Sequence, residues 1–493
     1  MNRMRMAFLL SPLFLALVIL INPNMRLPSY AQTTSTTILV SRNSAGIPGN
    51  NHSLRNAISG DGQVIAFDSI ASNLSDDFVA ETNVFVRDLK TGQTQMVSRH
   101  SDGTPGDHNS YVSSLSADGR FVAFTSIAGN LDDEDVVRCM DLAGPMHCVD
   151  VFVHDRLNGE TTLVSRNSDG IPGNDDAWMS AISADGRYVA FESRATNLAE
   201  GDTFLCGEAP HLVSCYDIFV HDRLTGETTV VSRRTDGTFA NNDSANPAIS
   251  ADGRFVAFES MADNLIDDDA GSCGSWCYNI FLHDRETGQT TLVSRGLNGE
   301  PANGGSSDPG ISADGRYVTF DSFAGNLTDS DTQRCDYLRV DSCGDVFVYD
   351  RVTGQTTLIS RHTNGAHGNS NSADPSISAD GRYIAFMSTA SNLTDYDTSF
   401  FRGRVYVHDR VLGTTALVSL SANGALPNGA AYSPDISASG RFVTFDSTAE
   451  NLVDDDTVIC NDLDGQSNCI DIFLRDRGPV GRFVAYAPTI NVP

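Results

Sequence analysis

Short apolar stretches alternate with turn residues along most of the chain, and one segment shows the pattern clearly. In Ser180 to Ser193, SAISADGRYVAFES, two stretches rich in β-forming residues lie on either side of Asp185-Gly186. Glycine adopts the positive φ angle that a tight hairpin turn needs, and Asp-Gly between such stretches is a strong hairpin signal. The segment therefore predicts a β-hairpin, whose strands we call A and B.

A second hairpin follows the first within the same unit. Asp217 to Arg233, DIFVHDRLTGETTVVSR, has a turn between Asp222 and Gly226 that separates two further β-rich stretches, strands C and D. One unit is therefore predicted to be a four-stranded antiparallel meander. In such a meander the A–B and C–D turns lie on one face, the turn face. The B–C loops and D–A connections lie on the other, the loop face.

The unit occurs seven times, and its A–B turn glycines lie 57 to 67 residues apart, a period typical of solenoids, propellers or arrays. These glycines are Gly62, Gly119, Gly186, Gly253, Gly315, Gly381 and Gly440. Strands B and C are apolar on both faces, as YVAF and IFV show, so neighbouring sheets must cover both sides. We predict an all-β, seven-bladed β-propeller in preference to a β-solenoid, whose coils are usually far shorter.

The two ends of the repeat region predict how the ring closes. After Arg477 the last unit lacks a strand D, but Thr36 to Asn50 matches Thr161 to Asn174 almost letter for letter. The N-terminal strand is therefore expected to complete the last blade, because closure removes open sheet edges. We assign residues 32–477 to the propeller and residues 478–493 to a C-terminal tail without a predicted role.

The repeated phrase resembles a known repeat family. SADGRYVAF, followed in the same unit by DIFVHDRLTGETT, is similar to the TolB-like, or WD40-like (PD40), β-propeller repeats of bacterial exported proteins. The resemblance covers roughly residues 36–477. It implies a β-propeller with a role in protein interaction or ligand binding, without one chemistry shared across the family. This chain departs from ordinary members in its cysteine-bearing loops.

The N-terminus predicts export. Arg3 and Arg5 precede an apolar run from Ala7 to Ile21, and a small-x-small pattern follows at Ser29-Tyr30-Ala31. We expect residues 1–31 to be a signal peptide, and the mature protein to be secreted, extracellular or periplasmic, and monomeric. Retention as an N-terminal anchor is the alternative, although the run is short for a span of about 20 residues. No integral membrane span is expected after cleavage.

The charge balance changes the range of expected partners. The chain has 33 Lys and Arg against 63 Asp and Glu, a formal net charge of −30 at pH 7. Nucleic acid and anionic membrane surfaces are disfavoured, because phosphate binding needs clustered Lys and Arg. Cationic partners or divalent metals fit better. The alternative is that scattered acids simply keep an exported protein soluble.

The ten cysteines fall as five pairs, each within one B–C loop. The pairs are Cys139 and Cys148, Cys206 and Cys215, Cys273 and Cys277, Cys335 and Cys343, and Cys460 and Cys469. We expect a disulfide in each loop, because cysteines in different blades are too distant to pair. Each should contribute up to about 2 to 3 kcal/mol, and export favours oxidation. Zinc is the alternative at Cys273 and Cys277, which lack a second ligand pair nearby.

Acidic clusters open several B–C loops in the form Asn-Leu-x-Asp-x-Asp. Carboxylates two residues apart, with backbone carbonyls nearby, provide the oxygen ligands that calcium takes. The candidate calcium ligands are Asp329, Asp331, Asp395, Asp397, Asp454 and Asp456. The alternative is structural, because the same residues form Asx turns and the pattern occurs in most units. Calcium is the one cofactor that the sequence suggests.

Histidines occur in two settings. One set precedes Asp-Arg at the end of strand C and is replaced by Arg or Tyr in other units, which favours packing over metal binding: His154, His221, His283 and His408. A second set lies on D–A connections and is better placed for a ligand: His100, His108, His362 and His367.

No residue is assigned a catalytic role, because the sequence contains neither G-x-S-x-G nor H-E-x-x-H. We therefore expect a binding module that presents acidic, disulfide-stapled loops on one face to a protein, a glycan or a cationic ligand. The alternative is a metal-dependent propeller enzyme, such as a polysaccharide lyase or hydrolase.

Overall fold

The computed structural model describes residues 35–77, 81–135, 137–141, 144–201, 205–206, 213–267, 277–329, 343–396, 402–456, 458–462 and 465–479. Every helix or strand assigned in these ranges is a β-strand. Seven four-stranded antiparallel sheets and three two-stranded ribbons account for all of them. No helix among the described residues is long and apolar enough to cross a membrane.

The first three blades follow the N-terminal strand. That strand, β1, is Thr36–Leu39. Blade one contains β2 (Ser53–Ile58), β3 (Val64–Ser69), β4 (Asn83–Asp88) and β5 (Gln93–Met96). Blade two contains β6 (Ser110–Leu115), β7 (Phe121–Ser126), the ribbon β8 (Arg138–Asp141) and β9 (Gly144–His147), then β10 (Asp150–Asp155) and β11 (Glu160–Leu163). Blade three contains β12 (Ala177–Ile182), β13 (Tyr188–Ser193), the ribbon β14 (Leu205–Cys206) and β15 (Val213–Ser214), then β16 (Asp217–Asp222) and β17 (Thr228–Val230).

Four further blades complete the ring. Blade four contains β18 (Ser244–Ile249), β19 (Phe255–Ser260), β20 (Asn279–Asp284) and β21 (Gln289–Leu292). Blade five contains β22 (Ser306–Ile311), β23 (Tyr317–Ser322), β24 (Asp345–Asp350) and β25 (Gln355–Leu358). Blade six contains β26 (Ser372–Ile377), β27 (Tyr383–Ser388), β28 (Arg404–Asp409) and β29 (Thr414–Leu417). Blade seven contains β30 (Ala431–Ile436), β31 (Phe442–Ser447), the ribbon β32 (Ile459–Asp462) and β33 (Gly465–Asn468), then β34 (Asp471–Asp476).

The ring closes as the sequence predicts. The N-terminal strand β1 pairs antiparallel with β34, with Ile38 opposite Leu474, and so becomes the outer strand of blade seven. The Thr37 hydroxyl adds a 2.6 Å hydrogen bond to the Leu420 carbonyl. The predicted seven-bladed propeller, closed by its first strand, is confirmed.

Backbone hydrogen bonds between adjacent A–B turns join all seven blades around the axis. The amide of Ala117 donates to the carbonyl of Ala184 at 3.0 Å, and the corresponding residue of each turn repeats the bond to the next blade. The ring of residues is Gly60, Ala117, Ala184, Ala251, Ala313, Ala379 and Ala438, with distances of 2.9 to 3.1 Å. The amide of Ala438 returns to the carbonyl of Gly60, so the inner strands converge at the turn face.

The repeated Ser-x-Asp-Gly-Arg phrase packs one blade on the next. Gly186 has a φ of +75°, and a Cβ there would lie 2.1 Å from the Phe121 ring of the preceding blade. Arg187 donates to both carboxylate oxygens of Asp222 at 2.9 and 2.6 Å, which links the A–B and C–D turns. Arg223 stacks on the same Phe121 ring at 4.5 Å. The phrase therefore repeats because it forms the contact between blades.

Stacked aromatic side chains fill each blade. Phe191 of strand B and Phe219 of strand C are fully buried, with ring centroids 5.8 Å apart. Equivalent pairs occur in all seven sheets, with centroid distances of 5.7 to 6.0 Å. Apolar burial on both faces of strands B and C explains why their sequences show little alternation.

Candidate functional site

The Asn-Leu pair that opens each B–C loop fixes this loop to the preceding D–A connection. The amide of Asn451 donates to the Leu426 carbonyl at 2.9 Å and its oxygen accepts the Asn428 amide at 2.9 Å. The same two bonds recur at Asn73, Asn130, Asn197, Asn264, Asn326 and Asn392. The following leucine is buried in every blade. These asparagines are therefore structural clamps, and their amide oxygens are already engaged by backbone amides.

Three of the five expected cysteine pairs lie within the described residues, and all three are disulfides: Cys139–Cys148, Cys206–Cys215 and Cys460–Cys469. Each joins the two sides of a two-stranded ribbon or its flanking residues. Cys277 and Cys343 are also disulfide-bonded. The predicted partners of these two, Cys273 and Cys335, lie outside the described residues. The stapled ribbons are short projections on the loop face.

Two groups of side chains near these ribbons have metal-ligand spacing: Cys139, Cys148 and Asp176, and Cys206, Cys215 and Asp243. Both groups contain the two cysteines of one disulfide. A metal is bound by a cysteine thiolate, and a disulfide sulfur carries no such charge. We therefore do not assign these groups as metal sites.

The six predicted calcium ligands fall into different environments. Asp329, Asp395 and Asp454 are exposed, whereas Asp456 is buried. Asp331 and Asp397 lie outside the described residues. Asp454 and Asp456 are thus two residues apart but face solvent and interior respectively. Calcium binding at these six positions stays a prediction.

Beneath the loops, the first residue of strand C adds a carboxylate that the sequence analysis missed. In blade seven, burial and repulsion from Asp456 raise the pKa of Asp471 to about 7, although the Ser41 hydroxyl donates a 2.5 Å hydrogen bond to it. In blade two, burial and repulsion from Asp135 raise the pKa of Asp150 to about 8. The signal was available, because Asp or Asn precedes the apolar core of strand C in six of the seven units.

The acids that follow the Asn-Leu clamp by two residues point away from the protein. The side chains of Asp133, Asp267 and Asp395 have relative exposures of 99, 82 and 103%. Arg234 forms an ion pair with Asp267. His100 and His362 approach Asp133 and Asp395 at 3.8 and 3.5 Å. Two of the four histidines that we expected near a ligand therefore lie beside exposed loop acids.

The other histidine set is buried and structural. The Nδ1 atom of His154 lies 2.9 Å from the Thr161 hydroxyl, and His221, His283 and His408 make the same contact with their own blades' threonines. Burial lowers the pKa of each of these four histidines to about 4. They pack between strands C and D, which agrees with the presence of Arg or Tyr at the same position in the other units.

A second acidic region lines the axis on the inner strands. In six blades the third residue of strand A has a positive φ although it is not glycine: Arg55, Met179, Asn246, Asp308, Asp374 and Ser433. The pairing of strands A and B is irregular at these residues. Such a bulge redirects its side chain and is common beside functional sites. Next to it lies the fifth residue of strand B, which is an acid in five blades: Asp68, Glu192, Glu259, Asp321 and Asp446.

Burial is the main cause of the raised pKa values of the acids in this axial region. It raises the pKa of Asp68, Glu192 and Glu259 to about 7. Glu192 and Glu259 each accept a backbone amide from the bulge of the following blade, at 2.9 and 3.2 Å. These two acids therefore also hold neighbouring blades together.

Comparisons with known proteins identify no family. No family model matches the chain, and no curated protein matches it. Among solved structures, an oligogalacturonate lyase in complex with manganese is 13% identical, with a TM-score of 0.49 over 90% of this chain and 96% of that one. An oligogalacturonate lyase from Vibrio parahaemolyticus is 12% identical, with a TM-score of 0.48 over 90% and 97%. TolB from Acinetobacter baumannii is 14% identical, with a TM-score of 0.37 over 80% and 76%. At these levels the similarities assign no activity or ligand to this chain, and membership of the TolB-like repeat family stays a prediction.

Proposed function

We propose that this propeller is an exported binding module whose loop face captures a positively charged ligand, such as a basic protein segment. The observation that carries the proposal is that clamped loops hold carboxylates fully in solvent, with Asp133 and Asp395 at 99 and 103% relative exposure. Loops on a rigid scaffold are the usual carriers of binding function. Disulfides in the loops fit an oxidising compartment, outside the cell or in the periplasm.

Electrostatics favours a cation over a neutral glycan. The chain carries a net charge of −30. Arginine or histidine side chains contact loop acids in several blades, but Asp133 and Asp395 remain fully exposed beside them. Clefts and faces lined by one sign of charge concentrate ligands of the opposite sign and speed their association. A protein with a basic patch meets this requirement, and a charged glycan meets it only if it carries amines.

The test compares two double variants that each remove two negative charges, one from the loop face and one from the turn face. The double variant Asp133→Asn with Asp395→Asn removes two exposed acids from the loop face, and Glu160→Gln with Glu227→Gln removes two from the turn face. Capture of a lysine-rich peptide by the immobilised full chain should weaken several-fold only in the first variant, and should weaken further with salt. Equal weakening in both variants, or none in either, contradicts the proposal.

A second candidate, an enzyme, has one observation in its favour. The axial carboxyls of Glu192 and Glu259 have pKa values raised to about 7 by burial, and a general acid or base works best with a pKa near the operating pH. Their bonds to backbone amides also give them a structural role. Measured turnover of a polysaccharide that falls on addition of a chelator, and in Glu192→Gln, would favour the metal-dependent enzyme over the binding module.

A further inference from the structure

The outer strand of each blade has an edge without a neighbouring strand, and hydroxyl side chains cover this edge in most blades. In blade two the backbone amide of Thr161 donates to the Ser101 hydroxyl at 3.0 Å, and this hydroxyl donates to the Thr161 carbonyl at 3.3 Å. Equivalent bonds from the amide to a hydroxyl occur in blades one, three, four and six, at Thr94, Thr228, Thr290 and Thr415. These hydroxyls come from the preceding D–A connection and occupy backbone groups that could otherwise pair with another strand.

Blade seven lacks this hydroxyl. Ala422 stands at the position that Ser101 has in blade two, and Thr37 of β1 stands at the position of Thr161. The Val40 amide bonds to β34, and bonding alternates along the strand, so the Thr37 amide points away from the sheet. This amide has no hydrogen-bond partner among the described residues, although Thr37 is only 3% exposed. A buried backbone amide without a partner is costly, so it indicates a place for an additional acceptor.

A second outward amide of β1 also lacks a partner. In blade two the Asp132 carboxylate accepts the Leu163 amide at 3.0 Å. Blade seven has Val453 at the position of Asp132, and the Leu39 amide has no hydrogen-bond partner in the part of the chain that the structure describes. Leu39 follows Thr37 by two residues, so both amides point to the same side of β1. Successive outward amides are the groups to which an added strand bonds.

Open space lies beside these two amides. A groove of about 610 Å³ lies along β1, and its lining includes Ile38, Ala422 and Val453. Ile38 is 39% exposed and adds apolar surface to the groove. The matching groove of blade two has about 860 Å³, but there Ser101 and Asp132 already bind the edge amides. Blade seven therefore combines open space with unsatisfied backbone groups.

The C-terminal tail contains a strand-like segment that the seven blades do not use. Gly481 to Tyr486, GRFVAY, lies outside the described residues and repeats the strand B phrase, as in GRFVTF from Gly440 to Phe445. Phe, Val and Tyr favour strands, and Pro479 and Pro488, which cannot donate a backbone hydrogen bond, stand on either side. Each of the seven sheets already has four strands, so no sheet lacks a strand B.

The segment begins within reach of the open edge. Strand β34 ends at Asp476, which pairs with Thr36 at the start of β1. A strand outside β1 lies two strand spacings, about 10 Å, from β34, and the five residues 477–481 can span about 16 Å. Blade five also lacks the hydroxyl, because Leu297 stands at that position, but the tail leaves the fold at blade seven.

The direction of the tail matches the unsatisfied groups. The tail leaves the sheet at the end where β1 begins, so a strand beside β1 runs parallel to it. In a parallel pair, one residue of the added strand bonds to the carbonyl of one residue and to the amide of the residue two positions further along. Among the described residues, the Thr37 carbonyl and the Leu39 amide have no partner, whereas the Leu39 carbonyl accepts Arg42 Nε at 3.1 Å.

We propose that Gly481 to Tyr486 docks as a fifth, outer strand on β1 of its own chain. The added strand gives Thr37 and Leu39 the backbone partners that side chains supply in blade two, and it covers Ile38. It also holds the closing strand from its second side, so the tail strengthens closure of the ring. The docking does not depend on the proposed capture of a basic ligand at the loop face.

The experiment compares the full chain with full-length variants of the tail. Val484→Pro removes a backbone donor inside the segment, and Thr489→Pro, beyond the segment, is the matched control. Hydrogen exchange at the amides of Thr37 and Leu39 should be about 10-fold faster in Val484→Pro than in the parent chain or the control, because two hydrogen bonds are lost. The Thr161 amide, which Ser101 already binds, should exchange equally in all three chains.

A change in blade seven tests the other side of the contact. The doubly capped variant, Ala422→Ser with Val453→Asp, copies both caps of blade two and should occupy the two β1 amides from within the fold. The tail should then be released, so trypsin should cleave after Arg482 about 10-fold faster than in the parent chain. Mass spectrometry detects this cleavage as loss of residues 483–493. Leu297→Ser, which adds the hydroxyl to blade five, is the control and should leave the cleavage rate unchanged.

Three results would overturn the proposal. The two β1 amides could exchange at the same rate in the parent chain and in Val484→Pro. Cleavage after Arg482 could be as fast in the parent chain as in the doubly capped variant. The parent chain could form a dimer that Val484→Pro abolishes, which would place the segment on β1 of a second copy. Peptide capture at the loop face should be unchanged in Val484→Pro, so failure of strand docking and failure of the proposed loop-face function are measured separately.

Discussion

The first residue of strand C shows how one position changes its chemistry around the ring. In blade two the Ser165 hydroxyl donates to Asp150 at 2.6 Å, whereas in blade four the Ser294 hydroxyl donates to Asn279 at 3.0 Å. The geometry is alike, but Asp150 is a buried acid whose Oδ2 has no hydrogen-bond partner among the described residues. The amide is therefore the less costly residue whenever the acid is ionised.

We predict that Asp150→Asn stabilises the protein at pH 8 and changes little at pH 5. Burial and the nearby carboxyls of Asp135 and Asp176 raise the pKa of Asp150 to about 8 in the folded state, well above the ordinary value for an aspartate. The folded state then holds a proton that the unfolded state has lost, so stability falls as the pH rises from about 4 to about 8. The variant should gain about 1 to 3 kcal/mol at pH 8, measured by denaturant unfolding at both pH values.

The reciprocal variant, Asn279→Asp, is the control. It adds a buried acid to blade four and should lose stability between pH 5 and pH 8, while the parent chain changes less over the same interval. The prediction is wrong if Asp150→Asn shifts stability by the same amount at both pH values, because its effect would then be independent of ionisation.

At the residue scale, a sequence motif identifies candidate ligand residues but does not show which of their side chains are exposed and which are buried. The Asn-Leu-x-Asp-x-Asp pattern marks Asp454 and Asp456 alike, but the fold exposes one and buries the other. Asp471 and Asp321 carry no local signal of their raised pKa values, because those values depend on burial by other segments. Aligning the seven units identifies both positions, because an acid occurs at each of them in several blades.

Whole strands and turns are more predictable than side-chain environments, because their signals are local. In the unit Ser180 to Arg233 the Asp-Gly turn and the apolar stretches predict strands A to D where β12, β13, β16 and β17 are observed, and the other units repeat the pattern. The ribbons in the B–C loops were not predicted. Their sequences are polar, and the pairing of Ile459 with Asn468 accompanies the Cys460–Cys469 disulfide without an apolar periodicity.

At the element scale, the A–B turn glycine is expected to matter for two separate reasons. Gly186 has a positive φ, and its missing Cβ leaves room for the Phe121 ring of the preceding blade. Gly186→Ala should therefore cost about 1 to 2 kcal/mol for the backbone conformation and about 1 to 3 kcal/mol more for overpacking. The measurement is the free energy of unfolding in denaturant.

Gly226→Ala separates the two contributions. Gly226 has a φ of +78°, close to that of Gly186, but no atom lies within 4 Å of a Cβ placed there. It should cost only the backbone part, about 1 to 2 kcal/mol. If both variants lose the same free energy of unfolding, the close contact between Gly186 and the Phe121 side chain contributes nothing beyond the backbone conformation of the turn.

At the scale of the whole molecule, closure joins segments that are more than four hundred residues apart. The sequence reveals this pairing because the N-terminal segment repeats a strand that the last unit lacks. The hydrogen-bonded ring of A–B turns has no such signal, since alanine in a turn does not indicate a partner. Its uniformity follows from seven similar blades packing at one angle around an axis.

We predict that removing residues 35–42 opens the ring. The deletion takes away the buried side chains of Leu39 and Val40 and leaves one edge of β34 without its partner strand. Loss of these two apolar side chains alone should cost about 3 to 6 kcal/mol. The truncated chain should unfold at a lower temperature and self-associate through the open edge, as measured by calorimetry and by light scattering after size-exclusion chromatography.

Restoration in trans distinguishes loss of closure from general damage. A synthetic peptide that spans Ser35 to Asn50 should bind to the truncated chain, raise its unfolding temperature and return its mass to that of the full chain, because the peptide supplies the missing outer strand. The same peptide with Leu39→Asp should fail, since an ionised side chain cannot occupy a position that is 3% exposed. If the truncated chain already matches the full chain in unfolding temperature and mass, β1 does not hold the ring closed. Rescue by both peptides would show instead that binding does not use the observed register.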